Sequence, residues 1–173
     1  MRIVTCTYER HAAAILAILN DAIVSSTALF DYAPRSPETM VEWFRAKAAH
    51  QFPVIGTEAD DGALLGFATY GTFRAWPAYK YSVEHSIYVH RNHRRRGVAL
   101  ALMRRLIDLA MEQRYHTLVA GIDAANSSSI GLHEKLGFAY VGTVRDAGFK
   151  FGRWLDLAFY QLLLPTPLDP HDG

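Results

Sequence analysis

Apolar side chains recur along this chain with two periods. Residues 2–7 alternate as a strand does, and the stretch that follows sets Ile15, Ile18, Leu19, Ala22 and Ile23 at the spacing that lines one face of an α-helix. Ser36, Pro37 and Glu38 supply the N-cap, first-turn proline and dipole-favoured acid of a second helix, which runs through Trp43 and Phe44 and ends near His50. Two apolar runs, residues 53–58 and 63–72, flank Asp60, Asp61 and Gly62 and predict an antiparallel hairpin. A further strand is predicted over residues 81–89. It passes through a basic loop, residues 90–96, into a long helix with Leu100, Met103, Leu106, Ile107 and Ala110 on one face. Residues 117–123 read as a strand, residues 126–136 as a short helix stopped by Gly137, and residues 138–144 and 154–164 as two last strands. Strands that partly alternate with helices and partly follow one another predict a mixed α/β fold.

Half of the 173 residues are hydrophobic and a fifth are charged, which suits one compact domain with a substantial core, placed at residues 1–164. The prolines and polar ending beyond it predict a mobile tail over residues 165–173. A formal charge of +1 gives no global field toward nucleic acid or an anionic membrane, so any basic chemistry must be local. The single cysteine, Cys6, allows neither an internal disulfide nor a cysteine-based zinc site and fits the cytoplasm; in its apolar strand it reads as packing rather than as a nucleophile. The first residues lack the basic flank and apolar core of a signal peptide, and no apolar run nears the roughly 18 residues of a membrane span. The eight histidines are scattered, and His90 and His93 have no carboxylate or thiolate to complete a metal set, so no metal is expected.

The densest chemistry lies in the basic loop. Arg94, Arg95, Arg96 and Gly97 stand between a strand and a helix, where the first helical N–H groups lack internal partners and face whatever lies before them. Glycine lets the backbone approach a pyrophosphate, the helix dipole adds a favourable field, and arginines pair with phosphate oxygens. A diphosphate-bearing cofactor suits such a loop. It is not a P-loop, because no Gly-Lys-Ser/Thr follows, nor a Rossmann turn, because the three-glycine fingerprint is missing. A solvated helix start is the plain alternative, and a nucleic-acid patch would want more dispersed basic residues with exposed aromatics.

The string Ile87-Tyr88-Val89 followed by Arg94, Arg95, Arg96, Gly97, Val98, Ala99 and Leu100 resembles the Gln/Arg-x-x-Gly-x-Gly/Ala acetyl-CoA loop of GNAT acetyltransferases. Asn126 with Leu136-Gly137-Phe138 resembles the second CoA-binding element of that superfamily. Residues 73–79, 83–86, 120–123 and 150–156 are similar to phosphinothricin acetyltransferase and its methionine sulfone- and sulfoximine-acetylating relatives, so the likeness covers about residues 3–163. The resemblance implies a GNAT acyl-CoA N-acyltransferase fold, a mixed twisted sheet flanked by helices. It implies acetyl-CoA as donor, a small amino-acid-like α-amine as acceptor, and a homodimer. On the family pattern Ile87, Tyr88 and Val89 hold the pantetheine arm, residues 94–100 cradle the pyrophosphate, and Asn126 and Lys135 contact the cofactor.

Acetyl transfer needs a neutral amine, whereas a free amino acid's amine is mostly protonated near neutral pH, so a proton acceptor must be in reach. Glu84, on the strand leading to the loop, is the expected general base, directly or through water; pairing with a basic neighbour is its other reading. A backbone N–H near Tyr88 or Val89 suits the oxyanion. His133 stands where most GNAT enzymes have a tyrosine, and either donates a proton to the departing thiolate or merely contacts the cofactor. Arg74 is expected to bind the acceptor's carboxylate or phosphinate through two parallel bonds. Ala75, beside it, and Ser86, on the strand with Glu84, are expected to bind the acceptor as well. Phe30, Trp76 and His85 are expected to wall the acceptor pocket, with ordinary core packing as the alternative for the two aromatics. Lys150 and Arg153 offer further anion contacts or a solvated turn. Two other functions stay open: acetylation of another amine, such as a peptide N-terminus or a polyamine, and non-catalytic acyl-CoA sensing.

Overall fold

A computed structural model of the chain describes residues 1–172. Its elements are β1 (Arg2–Thr5), α1 (Tyr8–Ser25), α2 (Pro37–Ala49), β2 (Val54–Glu58), β3 (Leu64–Thr72), β4 (Ser82–Val89), α3 (Val98–Glu112), β5 (Thr117–Asp123), α4 (Ser127–Lys135), β6 (Ala139–Lys150) and β7 (Arg153–Leu163). The strands form one mixed seven-stranded sheet in the order β1-β2-β3-β4-β5-β7-β6, flanked by helices. Chain packing divides it into two units, Met1–Tyr70 with Ser86–Leu106, and Gly71–His85 with the chain from Ile107 onward. The backbone of β4 belongs to both.

In the first unit, the predicted apolar face of α1 is the buried one: Ile15 and Ile23 are wholly inaccessible, and Ile18, Leu19 and Ala22 nearly so. Ile15, Ile18 and Leu19 share a core with Met40 of α2, Val54 and Phe67. Each such side chain contributes about 1.5–3 kcal/mol by leaving water. Ser36 occupies the N-cap position of α2 with extended backbone angles, but its hydroxyl makes no cap bond. Its carbonyl accepts from the Thr39 hydroxyl at 2.6 Å instead. The β2–β3 hairpin forms as expected, its turn closed by Ala59 N–H to Ala63 O at 2.9 Å and by Asp61 Oδ1 accepting from Ala63 N–H at 3.0 Å.

In the second unit, β4 and β5 run parallel with Ser82 opposite Thr117, Val83 opposite Leu118 and Glu84 opposite Val119. Strand β7 pairs antiparallel with the whole of β5 through its residues Leu157–Leu163. Strand β6 runs six residues beyond the predicted Val144, through irregular register between Val144 and Gly148. Residues 145–148 look like a turn in sequence. The Asp156 carboxylate accepts the Asp146 N–H at 2.9 Å across the strands and carries β6 through the irregularity. Beyond β7, Thr166 donates its hydroxyl to Tyr115 O, and the N–H of His171 donates to the Tyr81 hydroxyl at 3.2 Å. Of the predicted tail, Gly173 lies outside the described residues. Among the described residues no helix is long and apolar enough to cross a membrane.

Candidate active site

The first unit contributes the end of β4 and the basic loop. His90 N–H donates to Leu65 O at 2.9 Å and ties the strand's end to β3. A 3₁₀ turn over Arg91–His93 follows, and the Arg91 guanidinium pairs with Asp21. Arg94, Arg95 and Arg96 stay exposed. Gly97 has φ +81°, and a Cβ there would meet nothing within 4 Å, so backbone conformation and not space calls for glycine. The first i→i−4 bond of α3 runs from Ala101 N–H to Gly97 O at 3.0 Å. The amides of Val98, Ala99 and Leu100 precede it and face the loop. Behind them Val98, Leu102, Met103, Leu106 and Ala110 are buried, so the helix start is rigidly held. Exposed guanidiniums around an anchored helix N-terminus fit a pyrophosphate. Ser86, Ile87, Tyr88 and Val89 are half-buried and lie past the last β4–β5 register pair. Phe30 also belongs to this unit, at the surface.

The second unit contributes the acid–base groups. Glu84 is half-buried on β4, and a Cβ added to Gly121 on β5 would sit 3.1 Å from its Oε1. A side chain at position 121 would crowd the carboxylate, which would have to give by a few tenths of an ångström. Burial pushes the Glu84 pKa above the ordinary carboxylate value, while the Arg74 charge opposes the rise. Arg74 is exposed, its guanidinium 4.2 Å from the Phe73 ring centroid and its Nη1 donating to Phe73 O at 2.7 Å. An exposed guanidinium of this kind can take an anion through two parallel bonds. Ala75 and Trp76 follow on the same exposed segment; at 69% exposure, Trp76 is no core aromatic.

His85 and His133 come together as one buried pair. Their Nε2 atoms are 2.8 Å apart, and both rings pack on Phe138. His133 Nδ1 lies 2.7 Å from Ser129 O, so both of its ring nitrogens are engaged. Burial, and then the neighbouring ring, lowers the His85 pKa to about 3, and burial lowers that of His133. Neither ring is charged near neutral pH. Asn126 caps α4 by accepting Ser129 N–H at 3.1 Å, and Lys135 is exposed in its last turn. Sequence reasoning missed both the histidine pair and the role of Gly121, although an isolated glycine inside a strand signals a close approach.

Cys6 is buried and its thiol is pushed up to about 12 by burial, which leaves no thiolate for chemistry. Lys150 is buried, with its Nζ 5.0 Å from the Phe151 ring centroid, whereas Arg153 is exposed.

A mixed sheet that delivers an arginine-rich loop to an anchored helix start is the scaffold of a transferase handling an acyl group on a phosphorylated carrier. Residues 16–138 match the acetyltransferase (GNAT) family, and the chain belongs to it. It is 41% identical over 157 residues to the L-methionine sulfoximine/L-methionine sulfone acetyltransferase of Pseudomonas paraeruginosa, across 90% of this chain and 91% of that one. An N-acetyltransferase from Staphylococcus aureus Mu50 superposes with a TM-score of 0.91 at 48% identity, covering 94% of this chain and 97% of the other. The phosphinothricin acetyltransferase of Sinorhizobium meliloti, solved in complex with acetyl-CoA, superposes with a TM-score of 0.93 at 29% identity, covering 98% and 91%.

Proposed function

We propose that this chain transfers acetyl from acetyl-CoA to the α-amino group of a small amino acid or analogue, of the methionine sulfoximine, methionine sulfone or phosphinothricin kind. The observation that carries the reading is Glu84: a partly desolvated carboxylate, kept open by Gly121, with a cationic side chain close enough to oppose its rise in pKa.

Acetyl-CoA supplies an activated thioester. Residues 94–96 and the amides of Gly97, Val98, Ala99 and Leu100 hold its pyrophosphate, residues 87–89 flank the pantetheine arm, and Asn126 and Lys135 contact the cofactor from α4. Arg74 takes the acceptor's anionic group, with Ala75, Trp76, Ser86 and Phe30 contributing to its surroundings, while His85 is turned into the buried pair with His133 and does not wall the pocket. Glu84 removes one proton from the ammonium, directly or through water, and a raised pKa brings it nearer the working pH of a general base. The freed nitrogen lone pair forms the new N–C bond as the C–S bond breaks and the electron pair leaves on the CoA sulfur, which takes up the nitrogen's second proton directly or through water. His133, with both ring nitrogens engaged, orients α4 and is not the proton donor. Exposed Tyr140, Val141 and Trp154 on β6 and β7 support a homodimer.

The test is release of CoA thiol across a panel of amino acids, their sulfone and sulfoximine analogues, phosphinothricin, peptides with a free N-terminus, and polyamines. Turnover with amino acids or their analogues is expected. Turnover confined to peptides or polyamines makes it another amine acetyltransferase. Tight acetyl-CoA binding without transfer to any acceptor makes it a sensor.

A further inference from the structure

The buried histidine pair admits one arrangement of protons that suits its surroundings. His133 Nδ1 lies 2.7 Å from Ser129 O, an atom that only accepts, so Nδ1 carries the hydrogen. A neutral imidazole protonated there has a bare Nε2, and His85 Nε2, 2.8 Å away, is then the donor. The reverse arrangement sets the His133 Nδ1 lone pair against the Ser129 carbonyl and buries an N–H on His85 Nδ1. No hydrogen bond of standard geometry reaches that nitrogen, although the Val119 backbone is close enough to favour the protonated ring slightly. That weak approach counts for less than the 2.7 Å contact between His133 Nδ1 and the Ser129 carbonyl, which decides the arrangement. Both rings also pack on Phe138, and Ser129 bonds His133; neither supplies a countercharge for an imidazolium.

The bonds run on toward the start of α4. Asn126 accepts from Ser129 N–H at 3.1 Å, so the cap of α4, its first turn, His133 and His85 form one hydrogen-bonded series that ends on β4, at the residue following Glu84. It joins positions 48 residues apart. We propose that His85 is a positioning residue for acetyl transfer: its Nε2–H holds His133 as the Nδ1–H tautomer and so fixes the first turn of α4 against β4, the strand that carries Glu84. This rests on the acetyltransferase reading for its effect on rate, and on the pair alone for its proton arrangement.

Side-chain ¹⁵N–¹H correlation spectra of the full chain test the proton arrangement without reference to activity. His133 is expected as the Nδ1–H tautomer and His85 as the Nε2–H tautomer, assigned by the loss of signals in His85→Gln and His133→Gln. The kinetic arm uses His85→Phe, which keeps a ring in place and removes the donor, against His85→Gln, whose amide N–H reaches the same position. In His85→Phe, kcat is expected to fall roughly tenfold, the scale of one lost hydrogen bond, with KM for the acceptor little changed. His85→Gln is expected to recover most of that loss and the His133 tautomer with it. A wild-type spectrum showing His133 protonated at Nε2, or equal kcat values in the Phe and Gln variants, overturns the proposal. If Glu84→Gln retains full activity, the reading of Glu84 as base falls, while the proton arrangement is decided by the spectra alone.

Discussion

Each unit buries a histidine near a glutamate, and the two surroundings differ in how completely they satisfy their charges. In the first unit His11, 3% exposed, accepts Thr7 N–H at Nδ1 (2.9 Å) and donates from Nε2 to Glu58 Oε1 (3.1 Å). Arg10 also reaches Oε1, and Arg2 grips Oε2 through Nε and Nη2 at 3.1 and 2.8 Å. The bond from His11, and next that from Arg2, hold the Glu58 carboxyl below the ordinary range. In the second unit Glu84 is held above that range by burial, and the histidines beside it are neutral, with one nitrogen unpartnered. A carboxylate surrounded by donors is stabilised as a charge and unfit to take a proton. One that is partly desolvated, with a single opposing cation, is poised to take one. Sequence alone does not separate the two glutamates; their neighbours do.

The sharpest way to break this contrast is to neutralise each acid in turn. Glu84→Gln is expected to slow acetyl transfer by about 10²–10⁴-fold, the usual worth of a general base, with acetyl-CoA binding by calorimetry unchanged. Glu58→Gln should leave kcat in place. Next in size, Arg74→Ala is expected to raise KM for the amino-acid acceptor by roughly 10- to 100-fold, the scale of charge-assisted hydrogen bonds, with a smaller effect on kcat. Steady-state kinetics check it, and an unchanged KM would remove Arg74 from the acceptor site. His11→Leu strips the bonds to Thr7 and Glu58, and a loss of about 1–3 kcal/mol in urea unfolding is expected while kcat holds.

The smallest effect is the most diagnostic, because the two acids should respond to pH with opposite sign. A folded-state pKa above the unfolded value means that protonation favours the fold. The contribution of Glu84 is therefore present below its ordinary value of 4.5 and lost as pH rises through the folded value. Glu84→Gln should consequently be slightly more stable than the wild type at neutral pH, with the gain vanishing in acid. For Glu58 the folded pKa is lowered, so its stabilisation is present above 4.5 and lost as pH falls through the folded value. Glu58→Gln should be less stable at neutral pH and converge on the wild type in acid. Urea unfolding at a series of pH values reads both, and like-signed responses would dissolve the distinction.

What the sequence by itself determined is the local order of the chain. The period of 3.6 picked out α1 and its five buried apolar residues, apolar runs on either side of a tight turn picked out β2 and β3, and Gly97 before an apolar helix marked the candidate phosphate-binding turn. These features depend on residues a few positions apart, which is why they are readable without a fold. The end of β6 was not, since Asp156 supports Asp146 from ten residues away. Nor was the exposure of Trp76, whose apolar character suits a core and a pocket wall equally well. The basic loop and Glu84 could be chosen from the sequence, but the space over Gly121 and the pairing of His85 with His133 could not. Those follow from the β4–β5 register and from where α4 packs. A pKa or a tautomer is set by the few atoms that surround a group, and only the tertiary structure decides which atoms those are.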